Sequence, residues 1–563
     1  MKTIQAATVS MLLSWSLILY GPARIYASNF DEFSFGALEL VAPLLSIALI
    51  AATVGFGILL LLQGQWRSRI GVMFFAISLA LYVQGNYLLW NYGELNGESI
   101  QWQHFFWLGV VDIAAWLGIG LAAWFFTNRL QKHLLIWCAA LFFIQLGTIV
   151  VELRQVELRQ AHGLKGSGEA RNSSDSMVRF SSGVNVIHIL LDAYQTTTFN
   201  EVLRMHPEYE DALQGFTFFE ENTGVLSRTA LSVPAMWTAK IYKNQEPLQW
   251  FMREELPNKS LPDLLAKRGY RSDVATLSRY CRYLSESRCT SLAYLGTDLA
   301  TIKRSEILRL MDLTLFRFLP NTLKKAVYND QKWFLQSVYG RDLSGVGGQR
   351  DSIRVVNKLL DQGYVKGDEG TYKFIHLMMP HGPYLVNARC RPAKTQKSLP
   401  GKIPAAYRES AECAMIQTTR FLDKLRQLGI YDDSLILLTA DHGFNPNLDY
   451  DTAQSIFNQG RSIAMPIMLV KLPGADHALQ RVDNPTSLID IPRTVTDSLN
   501  ISGGFGGQNA FDSSFPRLRH YYHHGRRSKS QTTHLAPMQE FLINGPVNEE
   551  TSWQIGQRYD PSH

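Results

Sequence analysis

The chain has 563 residues, of which 46% are hydrophobic and 18% are charged, and its formal net charge is +6. This length exceeds the roughly 250–300 residues at which a single hydrophobic core stops growing. An aromatic content of 11% and only five cysteines exclude disordered, collagen-like and disulfide-rich proteins. Residues 1–152 contain 13 charged side chains, and the rest of the chain contains the other 91 with a net charge of +7. The distribution therefore predicts an apolar front part and a soluble back part.

Five apolar segments of the front part are long enough to be membrane spans, which need about 20 mostly apolar residues. They are residues 7–27, 37–63, 70–91, 105–127 and 133–151. The first is interrupted by Pro22 and Arg24, and it is either a span or a signal peptide. Asp112 lies within the fourth segment, where it is either functional or a polar contact between helices.

The short loops predict the orientation of these spans, because loops rich in Lys and Arg stay in the cytoplasm. Loops 64–69 and 128–132 are basic, whereas loops 28–36 and 92–104 contain acidic residues and neither Lys nor Arg. With five spans, the N-terminus is inside and the chain after residue 152 is outside the cytoplasm.

Residues 151–160 (VELRQVELRQ) predict a juxtamembrane helix, and residues 161–183 are rich in Gly, Ser and Asn, as is typical of a linker. The predicted domains are therefore a transmembrane domain, a juxtamembrane helix with its linker, and a soluble domain; they cover residues 1–152, 153–183 and 184–563, respectively.

Short apolar runs alternate with helical patterns in the soluble part. The runs that read as buried strands are residues 185–192, 272–278, 372–379, 434–441 and 466–472. Residues 261–270 and 405–429 have helical patterns. This alternation predicts an α/β domain with a mostly parallel sheet and helices on both faces.

The cysteines are consistent with a soluble part outside the cytoplasm. Cys281 and Cys289 are close in sequence, and Cys390 and Cys413 flank a polar stretch, while Cys138 lies in the fifth apolar segment. In an oxidising compartment, both pairs could form disulfides. Four free or metal-binding thiols are the alternative, which the absence of a Cys-x-x-Cys spacing makes less favoured.

Three predicted strands end in residues that can bind metal or phosphate. Asp192 follows the first strand, His381 follows the third, and the pair Asp441 and His442 follows the fourth. In a parallel sheet, ligands bind beyond the carboxyl ends of the strands. A carboxylate beside an imidazole suits a divalent metal, although a turn with a helix cap has the same sequence pattern.

Thr229 precedes Ser232 and Pro234 at a point where a helix can start. A hydroxyl at a helix N-terminus faces unpaired N–H groups, and a metal beside it lowers its pKa and makes it an attacking group. Taken alone, Thr229 reads as an ordinary helix cap. Together with the strand-end residues, it predicts a metal-dependent active site at one edge of the sheet.

Six stretches in the order of the chain resemble the alkaline phosphatase/sulfatase superfamily. They are ILLDAYQ, TALSVPAMWT, SLPDLLAKRGYRSD, HLMMPHGPY, LLTADHG and SLIDIPRTVTDSL, within residues 185–500. With five spans in front, the whole chain is similar to membrane-anchored phosphoethanolamine and phosphoglycerol transferases. The resemblance implies an all-α transmembrane bundle in the bacterial inner membrane and a sulfatase-like α/β domain with a mostly parallel sheet in the periplasm or outside.

The resemblance also implies roles for single residues. Asp192 matches the first metal ligand, which is usually Glu in the transferases and Asp in sulfatases. Thr229 matches the metal-bound nucleophile that forms a phospho-Thr intermediate. Asp441 and His442 match the remaining ligands of Zn²⁺, or of another divalent metal such as Mn²⁺, Ca²⁺ or Mg²⁺. His381 matches the histidine that contacts the transferred group or a second metal.

The chain departs from the pattern of the transferases at two points. They carry another His shortly after Asp-His-Gly, and residues 444–462 contain none, so the choice between one metal and two stays open. Arg461 could supply positive charge there, as a Lys does in sulfatases. Thr229 does not lie in a Cys-x-Pro-x-Arg context, so a formylglycine cannot form at this position. The spacing of Cys281 and Cys289 resembles a disulfide of the transferases, and we expect His376 to be structural.

These implications predict transfer of a phospho-head group from a membrane phospholipid to a cell-envelope glycan or lipid, such as lipopolysaccharide. The alternative is a hydrolase of phosphate or sulfate esters, and a third reading is a degenerate domain that only binds. We expect a monomer with no nucleic-acid partner. The basic stretch 516–530 either approaches anionic head groups or is a solvated loop, and residues 537–553 predict a terminal edge hairpin.

Overall fold

The computed structural model describes residues 1–30, 33, 35–92, 100, 102–161, 176–329, 333–340, 348–393, 403–444, 460–524 and 534–561. Most of the predicted linker therefore lies outside the described residues. Most of the stretch after Asp-His-Gly, which lacks the second histidine of the transferases, also lies outside the described residues. The end of the basic stretch, residues 525–530, lies outside them as well.

The helices of the described residues, in chain order, are α1 Thr3–Ser14, α2 Gly21–Ser28, α3 Ala37–Val41, α4 Leu44–Leu61, α5 Gly64–Asn86, α6 Phe106–Phe125, α7 Thr127–Lys132, α8 Leu134–Ala161, α9 Thr196–Met205, α10 Glu208–Ala212, α11 Thr229–Thr238, α12 Leu248–Glu255, α13 Leu261–Lys267, α14 Ser278–Cys281, α15 Leu292–Gly296, α16 Leu299–Phe318, α17 Asn321–Tyr328, α18 Phe334–Tyr339, α19 Gln349–Gln362, α20 Ile403–Gln427 and α21 Ile491–Ser498. The strands are β1 Arg179–Phe180, β2 Asn185–Leu191, β3 Phe216–Phe219, β4 Arg271–Thr276, β5 Arg288–Ser291, β6 Tyr364–Val365, β7 Thr371–Leu377, β8 Leu435–Thr439, β9 Met468–Lys471, β10 Gln480–Val482, β11 Leu518–His524, β12 Met538–Asn544 and β13 Trp553–Tyr559.

The chain divides into two compact units. The first comprises Met1–Ser167 and Leu299–Ser344, and the second comprises Gly168–Asp298 and Gly345–His563. This division differs from the predicted domains, because Leu299–Ser344 comes from within the range 184–563 and yet belongs to the first unit. The difference has a compositional reason: the segment contains eight Lys or Arg residues, so it does not read as a membrane span.

Five helical segments of the first unit are long and apolar enough to cross a membrane, which confirms the five predicted segments. They are Thr3–Ser28, Ala37–Leu61, Gly64–Asn86, Trp102–Phe125 and Leu134–Glu157. The predicted juxtamembrane helix is a direct continuation of the last of them, because α8 runs to Ala161.

Asp112 is buried within the first unit and accepts three hydrogen bonds. The donors are the Trp90 indole N–H at 2.7 Å, the Gln84 side-chain amide at 3.2 Å and the backbone N–H of Asn321 at 2.8 Å. A carboxylate inside an apolar bundle is costly unless donors surround it. These contacts fit the reading of Asp112 as a polar contact between helices.

The second unit is built on an eight-stranded sheet with the order β10-β3-β9-β8-β2-β7-β4-β5. Only β9 runs antiparallel to its neighbours β8 and β3, so the mostly parallel sheet is confirmed. Each of the five predicted strands overlaps one of the observed strands, and the two predicted helices correspond to α13 and α20.

The alternation of side chains along β2 explains why this sheet is covered on both faces. Ile187 and Ile189 point into one hydrophobic core, and Val186 and Leu190 point into the other. A strand buried on both faces reads as a continuous apolar run, which is how this segment appears in the sequence.

Three further predictions about the second unit can be compared with the structure. Cys281–Cys289 and Cys390–Cys413 form disulfides, as predicted, and Cys138 is a buried free thiol. The terminal hairpin predicted for residues 537–553 covers β12 but ends at the first residue of its partner β13; the two strands pair antiparallel in a three-stranded sheet with β11.

Candidate active site

Three adjacent strands in the middle of the sheet deliver the predicted strand-end residues to one edge. The strands β8, β2 and β7 are parallel neighbours, with β2 in the centre. Asp192 follows β2 directly, Asp441 follows β8, and His381 follows β7. Since the carboxyl ends of parallel strands meet at the same edge, all three residues emerge there.

Four of the predicted site residues form one cluster. Asp192, Asp441 and His442 are buried, and each offers a ligand atom within 4.8 Å of the others. His442 Nε2 lies 3.4 Å from Asp441 Oδ2 and 3.9 Å from Asp192 Oδ1. Thr229 Oγ1 lies 3.3 Å from His442 Nε2 and 3.5 Å from Asp192 Oδ2. The hydroxyl therefore borders the same space as the two carboxylates and the imidazole.

Two backbone features hold the carboxylates in this arrangement. Ala193, directly after Asp192, has a φ of 63°, and its N–H donates to Asp441 Oδ1 at 3.0 Å. A left-handed alanine is strained, and such strain occurs preferentially at functional sites. Gly443 donates its N–H to the carbonyl of Ile463 at 2.7 Å, and a Cβ at this position would collide with the carbonyl oxygen of Ser462. The Asp-His-Gly motif therefore needs its glycine for close backbone packing.

Thr229 is the first residue of α11, after Arg228 in an extended conformation. Its carbonyl accepts a hydrogen bond of 2.7 Å from the hydroxyl of Tyr280, whose ring packs edge-on against Trp237 of the same helix. Tyr280 was not among the predicted residues, because it is distant from Thr229 in sequence and lies in the four-residue helix α14, which no sequence motif marks. Its contact fixes the backbone that carries the Thr229 hydroxyl.

The donor atoms of the cluster fit a divalent metal. Asp192 Oδ1 and Asp441 Oδ2 are buried and, among the described residues, have no hydrogen-bond partner. Burying a carboxylate oxygen without a partner is unfavourable, so a cation between these oxygens would account for their placement. His442 Nδ1 lies 2.7 Å from the carbonyl of Gly443, which can only accept. Nδ1 therefore carries the proton, and the lone pair of Nε2 faces the carboxylates.

The imidazole in this set distinguishes between the candidate metals. Zn²⁺ and Mn²⁺ accept mixed nitrogen and oxygen ligands, whereas Ca²⁺ and Mg²⁺ prefer oxygen ligands alone. Two carboxylate oxygens, one imidazole nitrogen and one hydroxyl make a set of four, which is the usual coordination number of Zn²⁺.

His376 is a site residue that the sequence reasoning assigned only a structural role. Its Nε2 lies 3.0 Å from Asp192 Oδ2, and its Nδ1 lies 3.1 Å from the Thr276 hydroxyl. Because a carboxylate only accepts, Nε2 donates to Asp192 and Nδ1 accepts from Thr276. The register of β7 against β2, which places His376 opposite Leu190, brings this imidazole to Asp192. The apolar pattern of each strand does not predict how β7 and β2 align, so the sequence did not reveal this contact.

Histidines around Asp192 set its protonation state. Burial by itself would raise the pKa of the Asp192 carboxyl, but the electrostatic interactions with His381, His376 and His442 and the hydrogen bond from His376 hold that pKa below its ordinary value. Asp192 is therefore a carboxylate at neutral pH, the form that binds a cation.

His381 lies next to this cluster. Its ring centroid is 6.4 Å from that of His442, and its Nδ1 contacts the carbonyl of Gly382. Gln349 holds this loop from both sides, because its side-chain amide donates to the carbonyl of His381 at 2.7 Å and its carbonyl oxygen accepts from Leu385 N–H at 2.9 Å. Gln349 is a further residue that no sequence motif indicated.

Arg461 is not brought into the cluster. Within the described residues, its guanidinium makes one hydrogen bond, of 2.9 Å, to the carbonyl of Asn548. A different basic region lies near the nucleophile: the backbone N–H of His524, at the end of β11, is 3.4 Å from Ser227 Oγ, two residues before Thr229. His523 and His524 are buried. Residues 518–524 are therefore a packed strand rather than a solvated loop.

Burial, together with the positive charge of Arg228, lowers the pKa of His523 to about 4. His523 is therefore neutral at pH 7, and the positive charge near the start of α11 comes from Arg228.

The fold and the site define an α/β domain with a buried two-carboxylate and imidazole centre beside a threonine hydroxyl at a helix start. The family model of the sulfatases matches residues 184–501, which is more than half of the chain. The chain therefore belongs to the sulfatase family.

Solved structures to which the chain is similar include transferases and hydrolases. The lipoteichoic acid synthase LtaP from Listeria monocytogenes is 15% identical over 66% of this chain and 86% of that chain, with a TM-score of 0.35. The soluble domain of lipooligosaccharide phosphoethanolamine transferase A from Neisseria meningitidis is 14% identical over 57% of this chain and 89% of that chain, with a TM-score of 0.36. The phosphonate monoester hydrolase SpPMH from Silicibacter pomeroyi is 14% identical over 67% of this chain and 89% of that chain, with a TM-score of 0.40. No curated protein matches the chain in sequence. Because these TM-scores are below 0.5, no activity is inferred from the three structures.

Proposed function

We propose that this protein is a membrane-anchored, metal-dependent transferase that moves a phosphoethanolamine or phosphoglycerol head group from a phospholipid to a cell-envelope glycan or lipid. The observation that carries the proposal is the position of Thr229 Oγ1, 3.3 Å from His442 Nε2 and 3.5 Å from Asp192 Oδ2. A hydroxyl at that place is suited to attack phosphorus, and sulfur chemistry through a formylglycine is closed to threonine.

Asp192, Asp441, His442 and Thr229 would hold the metal, and Zn²⁺ is the metal that this donor set favours. A divalent metal in such a site lowers the pKa of a bound hydroxyl and offsets the charge of phosphoryl oxygens. His376 keeps Asp192 oriented through the 3.0 Å contact between its Nε2 and Asp192 Oδ2.

The proposed reaction has two balanced halves. In the first, Thr229 Oγ forms a bond to phosphorus while the bond from phosphorus to the diacylglycerol oxygen breaks; the Thr229 hydroxyl loses a proton and the leaving oxygen gains one. In the second, a hydroxyl of the acceptor attacks phosphorus and loses its proton, and Thr229 leaves and regains one. No net proton is consumed, and Thr229 carries the head group between the halves.

His381 is the residue suited to exchange these protons. Its Nδ1 faces the carbonyl of Gly382, which leaves Nε2 as the nitrogen that can give a proton to the leaving oxygen and later accept one from the acceptor hydroxyl. Proton transfer to and from a reacting group is a common role of histidine in active sites.

The five apolar helices support a membrane-bound donor, because a phospholipid head group is within reach only of an enzyme held at the bilayer. The loop charges support an orientation with the second unit in the periplasm or outside a bacterial inner membrane. There the two disulfides would be stable, and envelope glycans or lipids would be available as acceptors.

Hydrolysis of phosphate or sulfate esters is the second candidate function. Two observations favour it: the chain belongs to the sulfatase family, and position 192 is Asp, as in sulfatases, rather than Glu. In this case water, instead of a glycan or lipid hydroxyl, would release the group from Thr229.

Purified protein in nanodiscs of phosphatidylethanolamine and phosphatidylglycerol distinguishes the two functions. We expect the head group to be transferred to an added envelope glycolipid acceptor, measured by the mass of the acceptor, with little head group released to water. Release at the same rate with and without acceptor, or turnover of soluble esters alone, would favour the hydrolase.

Thr229→Ala should abolish either reaction. The matched control is Thr238→Ala, which removes a threonine hydroxyl from the other end of the same helix, where it donates to the carbonyl of Pro234 at 2.8 Å. We expect the control variant to retain the activity. Equal acceptor modification by the Thr229 and Thr238 variants would rule out Thr229 as the nucleophile.

A further inference from the structure

Leu299–Ser344 lies between parts of the second unit in the sequence but belongs to the first unit. Its helices pack closely on the apolar bundle. A Cβ added to Gly21 would collide with Thr314, and one added to Gly85 would collide with the ring of Phe318. The Arg317 guanidinium donates to the carbonyl of Gly85 at 2.9 Å. The segment is therefore fitted to the bundle by small residues and hydrogen bonds.

All these contacts lie toward one end of the bundle. Gly85 is next to the last residue of α5, and Ile307 and Met311 pack near Leu44, the first residue of α4. Asp112, which accepts from the N–H of Asn321, is six residues after the start of α6, a distance of about 9 Å along a helix. This is the end opposite the basic loops 64–69 and 128–132.

That depth corresponds to a particular zone of a bilayer. The hydrocarbon core is about 30 Å thick, and each polar head-group region adds several Å. A segment that reaches about 9 Å along the spans from their ends lies at the boundary between head groups and acyl chains.

Large apolar side chains of this segment are exposed. Leu323, Phe334, Val338 and Tyr339 are 49%, 46%, 50% and 59% exposed. Phe334 and Val338 are four residues apart on α18 and share a helix face. Asp312 fixes the start of α18, because its carboxylate accepts the N–H groups of Leu335 at 2.8 Å and Gln336 at 3.0 Å. The exposed face is therefore held in place rather than loosely attached.

The segment also has a basic excess. It contains eight basic and four acidic side chains, a net charge of +4 compared with +6 for the whole chain. The basic residues are Lys303, Arg304, Arg309, Arg317, Lys324, Lys325, Lys332 and Arg341. Of those that the structure describes, Arg304, Arg309 and Lys325 are exposed, whereas Lys324 is buried. Exposed apolar side chains combined with positive charge are what anionic phospholipid head groups attract.

We propose that Leu299–Ser344 is an interfacial membrane element, whose face formed by Leu323, Phe334, Val338 and Tyr339 contacts phospholipid at the end of the bundle opposite the basic loops. The inference does not depend on the reaction that the second unit catalyses.

Site-directed labelling tests this contact in the full-length protein. In a Cys138→Ala background, Val338→Cys is labelled with an environment-sensitive fluorophore and placed in phosphatidylethanolamine and phosphatidylglycerol nanodiscs, with and without lipids brominated on the acyl chain. We expect brominated lipid to remove roughly half of the fluorescence or more, as for a label at the acyl boundary. Phe334→Cys, on the same face, should respond in the same way.

The matched control is Ile555→Cys on β13, which is an apolar residue of the second unit with 66% exposure. We expect brominated lipid to leave its fluorescence unchanged and aqueous iodide to quench it. The proposal is overturned if brominated lipid does not quench the label at position 338. This holds both if iodide quenches the label, which shows that it lies in water, and if neither quencher reaches it, which shows that another part of the protein covers it. Equal quenching at 338 and 555 would also contradict a specific contact.

Discussion

Replacing His376 by alanine should weaken the binding of Zn²⁺ to the active site without removing a metal ligand. Asp192 Oδ2 has two polar neighbours, the His376 imidazole at 3.0 Å and the Thr229 hydroxyl at 3.5 Å. The imidazole is the stronger donor at the shorter distance, and Thr276 fixes its tautomer from the other side. Without it, Asp192 loses the contact that orients its carboxylate.

The expected magnitude follows from what such supporting residues contribute in metal sites. Loss of a hydrogen-bond partner of a ligand typically lowers metal affinity by about 10–100-fold, which is about 1.4–2.8 kcal/mol. The upper half of this range applies if the metal affinity reflects the full burial of Asp192, whose oxygen Oδ1 has no partner among the described residues.

His188→Ala is the matched control. His188 is also a fully buried histidine of the central sheet, on β2, and its Nε2 lies 2.8 Å from the Thr439 hydroxyl. This hydrogen bond goes to Thr439 and not to Asp192, Asp441 or His442. Both substitutions remove a fully buried imidazole from the sheet, so both should lower thermal stability.

The assay is a competition titration of Zn²⁺ with a chelator on the wild-type protein and both variants, with thermal unfolding measured in parallel. We expect weaker Zn²⁺ binding in His376→Ala alone. Wild-type affinity in His376→Ala would refute the positioning role, and an equal loss in His188→Ala would show that the effect comes from general destabilisation.

Two further predictions concern stability and the link between a disulfide and the site. Asp273→Asn should destabilise the second unit by about 3–5 kcal/mol. The substitution leaves the fully buried Lys373 ammonium, 2.6 Å from Asp273, without its counter-charge. The unfolding midpoint of the full chain in detergent measures this loss of stability. Removal of Cys390–Cys413 should cost about 3.4 kcal/mol and removal of Cys281–Cys289 about 2.5 kcal/mol, from sequence separations of 23 and 8. Only loss of Cys281–Cys289 should lower activity beyond its effect on stability, because Tyr280, the residue before Cys281, supports Thr229. A larger loss of activity on removal of Cys390–Cys413 would contradict this.

Much of the second unit could be predicted because its strands are continuous apolar runs that end in chemically distinctive residues. Asp192, Asp441 and His442 were recognisable at strand ends, and the sheet topology then brings them together. Thr229 was recognisable from its position before a helix. These features are local in sequence, so a single chain is enough to find them.

What the sequence did not reveal depends on contacts between distant segments. The role of His376 needs the register of β7 against β2, and the role of Tyr280 needs its hydroxyl to reach the carbonyl of Thr229. Likewise, the membership of Leu299–Ser344 in the first unit rests on its packing against Gly21 and Gly85, which neither composition nor periodicity encodes.

The central claim is that Thr229 carries the transferred group. The most direct measurement is the mass of the peptide containing Thr229 after wild-type protein in nanodiscs has been incubated with phosphatidylethanolamine, quenched in acid and digested. We expect a phosphoethanolamine adduct on Thr229 that disappears when the metal is removed by a chelator. Head-group transfer to an acceptor with no adduct on Thr229 at any time, and full transfer by Thr229→Ala, would contradict it.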